Sequence, residues 1–181
     1  MNAPQIATLL GCAVLMFWAV GAYNRLMALR NDLTKAFAPV DAQVQRRHAL
    51  LLQWADGLSA MLDHGTPLHD GVLSACGQLQ AACDGLRARP GARGAASSLR
   101  LAEEALSAAR VRLQAELPAR QERLSGLEIE ANTEQLAAAD NTLAFARVQF
   151  NTATQTYNDA IRQIPTRLVA SVFGFQPAGT L

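Results

Sequence analysis

The chain predicts an all-α protein: a single N-terminal transmembrane helix followed by an elongated antiparallel four-helix bundle whose first and fourth helices are long. Three observations lead there. Residues 3 to 23 carry no charge, and about 20 such residues cross the roughly 30 Å hydrocarbon core as a helix. The remainder is rich in Ala, Leu, Arg, Gln and Glu, which favour helix, and lacks the Val, Ile and Thr runs of strands. Between Leu136 and Ile164 large and small apolar residues alternate in a heptad pattern.

The span comes first. Leu9, Leu10, Val14, Leu15, Phe17 and Trp18 make its apolar body, and Trp18 and Tyr23 suit an aromatic belt at the exit. A cleaved signal peptide needs a basic start, yet no Lys or Arg precedes Arg25. Leu9-Leu10-Gly11-Cys12 has the look of a lipobox, but Ala13 to Ala22 continue the apolar stretch that a lipobox should close. A retained anchor fits best. Arg25, Arg30 and Lys35 follow the span, so the positive-inside rule puts the large domain in the cytoplasm.

The chain divides into an anchor (1–23), one helical domain by length (24–165) and an apolar tail (166–181). Hydrophobic residues make up 50% of it and aromatics 6%, which fits helices packed through Ala and Leu rather than through rings. Its net charge of +1 offers no global field for nucleic acid or acidic substrates.

The first helix of the domain is expected from about Asn24 to His64. Leu26, Leu29, Leu33, Ala36, Val40, Val44, Leu51, Trp54, Leu58 and Met61 step along it by threes and fours as one stripe. Pro39 should kink it, and His64-Gly65-Thr66-Pro67 should stop it. A second helix spans about Leu68 to Arg87. A third, capped by Ser97 or Ser98, reaches about Leu117, and Pro118 marks the next break. The fourth runs from about Leu127 to Ile164. In it Leu136, Leu143, Phe150, Tyr157 and Ile164 alternate with Ala139, Ala146, Ala153 and Ala160, a large/small seam that lets a partner helix come close.

At 1.5 Å per residue the outer helices are roughly 60 Å long and the inner two roughly 30 Å. The inner pair then covers only the distal half, and residues 24–44 with 145–164 form a stalk whose apolar seam needs another copy or a partner. If Leu26 faces Ile161, Arg30 lies near Tyr157 and Asp41 near Arg147, which predicts an Asp41–Arg147 ion pair. Arg47 falls on the apolar stripe, where a guanidinium needs a buried acceptor or a path to water. The tail, with Phe173 and Phe175, either docks on the stalk or enters the lipid interface. Arg46, Arg47, Asp41, Arg147, Tyr157, Phe150, Phe173 and Phe175 are therefore the candidate interaction residues.

Catalytic and metal chemistry find little support. His69, Cys76 and Cys83 step by sevens, about 10.5 Å apart along a helix, too far to share a zinc ion or a disulfide. Glu103-Glu104 and Glu128-Ile129-Glu130 read as acids on solvated faces. Arg87, Arg89, Arg93 and Arg100 form a basic loop without interleaved aromatics, which fits solvent better than nucleic acid. No catalytic residue, metal or cofactor is expected.

Several segments carry a specific resemblance. Tyr23-Asn24-Arg25-Leu26-Met27-Ala28-Leu29-Arg30-Asn31, Val40-Asp41-Ala42-Gln43-Val44-Gln45-Arg46-Arg47, Asn141-Thr142-Leu143-Ala144-Phe145-Ala146-Arg147, Phe150-Asn151, Tyr157-Asn158, Ile164-Pro165-Thr166-Arg167-Leu168-Val169-Ala170 and Phe173-Gly174-Phe175 resemble, in order and spacing, the motifs of the LemA family. Departures are Phe37 for the usual tryptophan, Thr142 for a basic or polar residue and Arg167 for asparagine. The family's Ile-Pro-Asn-Leu-Val stretch is replaced at Leu51 to Leu58. The resemblance implies a membrane-anchored four-helix bundle in a bacterial inner membrane, without an established reaction. Some relatives look associated with membrane proteases or membrane-organelle assembly.

The expected function is a non-catalytic scaffold or adaptor that self-associates or recruits another membrane protein beside the lipid bilayer. The alternative is a membrane-surface sensor or remodelling protein working through the tail and the arginine loop. Neither needs a small-molecule substrate, and an enzyme is not expected.

Overall fold

The computed structural model describes residues 2–59, 67–116 and 127–181. These form five helices and no strand: α1 (Ala3–Ser59), α2 (Pro67–Ala88), α3 (Arg93–Glu116), α4 (Leu127–Arg162) and α5 (Thr166–Phe173). The expected stops at His64 to Thr66 and at Leu117-Pro118 lie outside the described residues.

Span and first domain helix are one element, because nothing between Gly21 and Arg25 breaks helix; α1 also runs through Pro39 without interruption. α2 opens on Pro67, whose missing N–H has no partner to lose in a first turn. α3 starts at Arg93, ahead of the serines expected to cap it. Ser98 Oγ instead donates to Gly94 O within the helix (3.0 Å). α4 ends at Arg162, ahead of Pro165, as residues before proline avoid helical geometry. The heptad seam stops with it: Ile164 is 78% exposed, and Ile161 closes the core in its place.

α1 packs on α4 and α2 on α3, α1 joins the two pairs through α2, and α5 rests on α1 and α4. Among the described residues no Cα of α3 comes within 8 Å of one in α4. Arg47 reaches Asp140, and the Phe37 and Phe150 rings meet edge to face at 5.9 Å. Numbers along α1 therefore rise as those along α4 fall, in the register that places Leu26 opposite Ile161. The stripe residues Leu26, Leu33, Val40, Val44, Leu51 and Trp54 pack against Leu136, Leu143, Phe150 and Tyr157 in one core, with Ala139, Ala146 and Ala160 between them.

The stalk seam meets the chain's own tail. Gly174 adopts φ 70° and caps α5, with the Phe175 N–H donating to Ala170 O. The chain then runs back along α4. Tyr157 Oη donates to Gln176 O (3.1 Å), Asn158 holds Ala178 through both side-chain atoms, and Asn151 holds Leu181 likewise. From α3, Arg93 Nε donates to Pro177 O (3.2 Å). Gly179 passes so close to α3 that a Cβ there would sit 2.8 Å from Ala96 Cβ and Arg93 Cα. Of the two fates considered for the tail, residues 174–181 take docking.

α1 is the one described helix long and apolar enough to cross a membrane, and none of its most apolar window is buried in the protein. Leu9, Leu10, Val14, Leu15 and Phe17 stand exposed.

Candidate functional site

Arg47 lies on α1 between Val44 and Leu51, on the stripe that faces the core, and it is buried. Its Nη1 is 2.7 Å from Glu103 Oε2 of α3, and its Nε 2.8 Å from Asp140 Oδ1 of α4. Arg147 Nη2 of α4 shares the same Glu103 oxygen at 2.7 Å. Arg110 Nη1 of α3 binds Asp140 Oδ2 at 3.0 Å. Three guanidiniums thus face two carboxylates where α1, α3 and α4 converge. Buried charges require such partners, since an unpaired one costs several kcal/mol.

The network floors a groove of about 350 Å³ between α3 and α4, lined also by Leu99, Ser107, Leu143 and Leu181. It spans the gap that the two backbones leave open. Glu103 Oε1 and Arg147 Nε have no hydrogen-bond partner there among the described residues. The arrangement clamps three helices and offers a polar lining. The groove is not lined by cysteine or histidine.

Asp41 does not pair with Arg147. Arg87 of α2 grips it with two bonds, Nε to Oδ2 (2.9 Å) and Nη2 to Oδ1 (2.6 Å), and Cys83 Sγ donates to Oδ1 (3.2 Å). Arg87 also binds Asp84 (2.6 Å). The register that put Asp41 level with Arg147 holds, but the two residues turn to opposite sides of the α1–α4 pair, Asp41 toward α2 and Arg147 toward α3. The Arg87 bond holds the Asp41 carboxyl below its usual range, against the opposing effect of burial. Burial first, then the bond to Asp41, pushes the Cys83 thiol up to about 12. Burial likewise raises Cys76.

The remaining candidates fall in different places. Arg46 is exposed. Phe150, 0% exposed, fills the core and offers no outward surface. Tyr157 is buried, which raises its pKa against the opposing charge of Arg30. Phe173 and Phe175 both touch the Tyr23 ring, at centroid distances of 4.9 and 5.8 Å. Glu103, expected on a solvated face, is buried. The signal was present: Glu103 falls on the α3 stripe of Ala96, Leu99, Leu106 and Leu113, just as Arg47 falls on that of α1. Of the arginine loop, Arg87 serves Asp41, Arg93 serves Pro177 and Arg100 lies 4.0 Å from Glu104.

No curated protein matches the chain. The model of the LemA family matches residues 36–181, from the α1 stripe through the ion network to the docked tail. With four-fifths of its length under that match, this chain belongs to the LemA family.

Proposed function

We propose that the chain is a non-catalytic scaffold or adaptor, anchored by residues 1–23 in a bacterial inner membrane. Its body is read as an antiparallel four-helix arrangement, α1 to α4, standing on the cytoplasmic side. It works by self-association or by holding another membrane protein. The observation that carries this reading is the outward face of α4, where Phe145 and Val148 stand 65% and 62% exposed, one turn apart, beside a seam in which Leu136, Leu143, Phe150 and Tyr157 are buried. The charged groups of the interior are engaged with one another, which suits a rigid platform better than a reacting centre.

The test is the molar mass of the full chain in detergent micelles and in nanodiscs. A concentration-stable oligomer that Phe145→Asp disperses supports self-association. A monomer in both media rejects it. Protease protection in membrane vesicles of known orientation tests the cytoplasmic placement.

The sensor reading draws support from one feature, the exposed apolar face of α5 with Leu168 and Val172. The arginine loop adds less, since three of its four guanidiniums contact other groups of the chain.

A further inference from the structure

α5 is the lowest point of the helical body. α4 pairs with α1 in opposite sense, so its end at Arg162 is level with the Tyr23 region, where the uncharged run of α1 gives way to Arg25. α5 follows, and the Phe173 ring packs at a tilt on that of Tyr23. The chain then turns at Gly174 and climbs again, since Gln176 binds Tyr157, Ala178 binds Asn158 and Leu181 binds Asn151. Nothing of the tail therefore lies between α5 and the level at which the span exits.

α5 has two faces. Thr166, Val169 and Ala170 are buried against the body. Leu168 and Val172, one turn apart, point away from it at 63% and 79% exposure, with Ile164 exposed just ahead. Arg162 and Arg167 flank this stretch in sequence and Arg25 is level with Arg162 in the α1–α4 register; all three are exposed and none makes an ion pair with an acidic residue among the described residues. Apolar residues on one face and free arginines beside them are the pattern of a helix lying in a membrane interface.

We propose that α5 lies in the headgroup layer of the leaflet through which α1 exits, with Ile164, Leu168 and Val172 reaching the acyl boundary and Arg25, Arg162 and Arg167 meeting anionic phospholipid phosphates. This rests on the anchor reading and deepens it: the body is held at two points, span and α5, which fixes its tilt.

The experiment uses the full chain with Cys12→Ala in vesicles containing anionic phospholipid. Cys76 and Cys83 are buried and stay unlabelled. Single cysteines are introduced as Phe17→Cys, Leu101→Cys or Val172→Cys and carry an environment-sensitive fluorophore. Quenching is read from spin labels on the lipid headgroup or deep in the acyl chain. The expected result is loss of roughly half the emission at position 172 with the shallow label, and little at position 101. Quenching at 17 by the deep label with none at 172 overturns the proposal and leaves the anchor standing. Absence of quenching at 17 overturns both. A blue-shifted but unquenched probe at 172 means a protein covers α5, which also overturns it. Equal quenching at 172 in purely zwitterionic vesicles overturns the role given to the arginines.

Discussion

Arg47 shows how one side chain can organise a helical body without doing chemistry. It sits where an aliphatic residue would continue the α1 stripe, and it is tolerated because α3 and α4 each bring a carboxylate to it. Arg47→Met leaves Glu103 with Arg147 and Asp140 with Arg110, so it strands no charge and should destabilise the protein by about 1.5–3 kcal/mol through the lost charge-assisted contacts. Denaturant unfolding in detergent checks this, and a cycle with Glu103→Gln should show strong coupling. The Asp41 cluster makes a pH prediction at both ends. The folded Asp41 carboxyl lies below its usual value of 3.8, so the Arg87 bond stabilises fully above that value and is lost as pH falls through the lower folded one. Cys83 is shifted the other way: the folded thiol is stabilising below 9.0, and that contribution disappears between 9.0 and about 12 as the unfolded thiol ionises first. Cys83→Ala should therefore flatten the alkaline loss of stability, and Asp41→Asn the acid loss, in unfolding midpoints measured against pH.

The elements differ in how they are held. α1 and α4 share a packed seam, and Phe150 is its largest fully buried residue. Phe150→Ala should cost about 3–5 kcal/mol through lost burial and the cavity left behind, again read by unfolding. The tail is held by polar bonds and by one close approach. Gly179→Val places atoms where Ala96 and Arg93 already stand, so residues 174–181 should detach. Amide hydrogen exchange would then show lost protection at Ala178 and Leu181, whose N–H groups donate to Asn158 and Asn151. Asn158→Ala should give a weaker version of the same effect, at about 1 kcal/mol for each hydrogen bond lost.

For the whole molecule the uninterrupted α1 is decisive. At 1.5 Å per residue its 57 residues extend about 86 Å, so the candidate span and the body are joined by continuous helix rather than by a linker. A charge in the span should then release the entire body. Val14→Arg with Phe17→Arg, each costing about 2.5–3.5 kcal/mol at the centre of a span, should shift the protein from the membrane pellet toward the supernatant after fractionation. The body also carries its own cover. The stalk seam expected to need another copy or a partner meets the returning tail, so the self-association proposed above would use exposed apolar residues such as Phe145 and Val148.

The four helices of the body, the limits of α2 and α4 to within a few residues, the α1–α4 register and the family were legible in the sequence, whereas the fusion of the apolar run with the first helix and the fifth helix, α5, were not. Each legible feature follows from local rules: apolar spacing sets which face is buried, proline and glycine set the ends, and motif order survives along a chain. Arg47 is legible as a charge on an apolar stripe, and Glu103 occupies the same kind of position on α3. What only the tertiary structure decided is who answers whom. Asp41 turned to Arg87 and Arg147 to Glu103 because neighbours across a register have two sides to face, and side is set by helix rotation, which periodicity in one helix does not specify. The tail's return was hidden for a related reason. Its tethers are single side chains, Tyr157, Asn158 and Asn151, bound to backbone atoms, and backbone atoms leave no mark in the sequence.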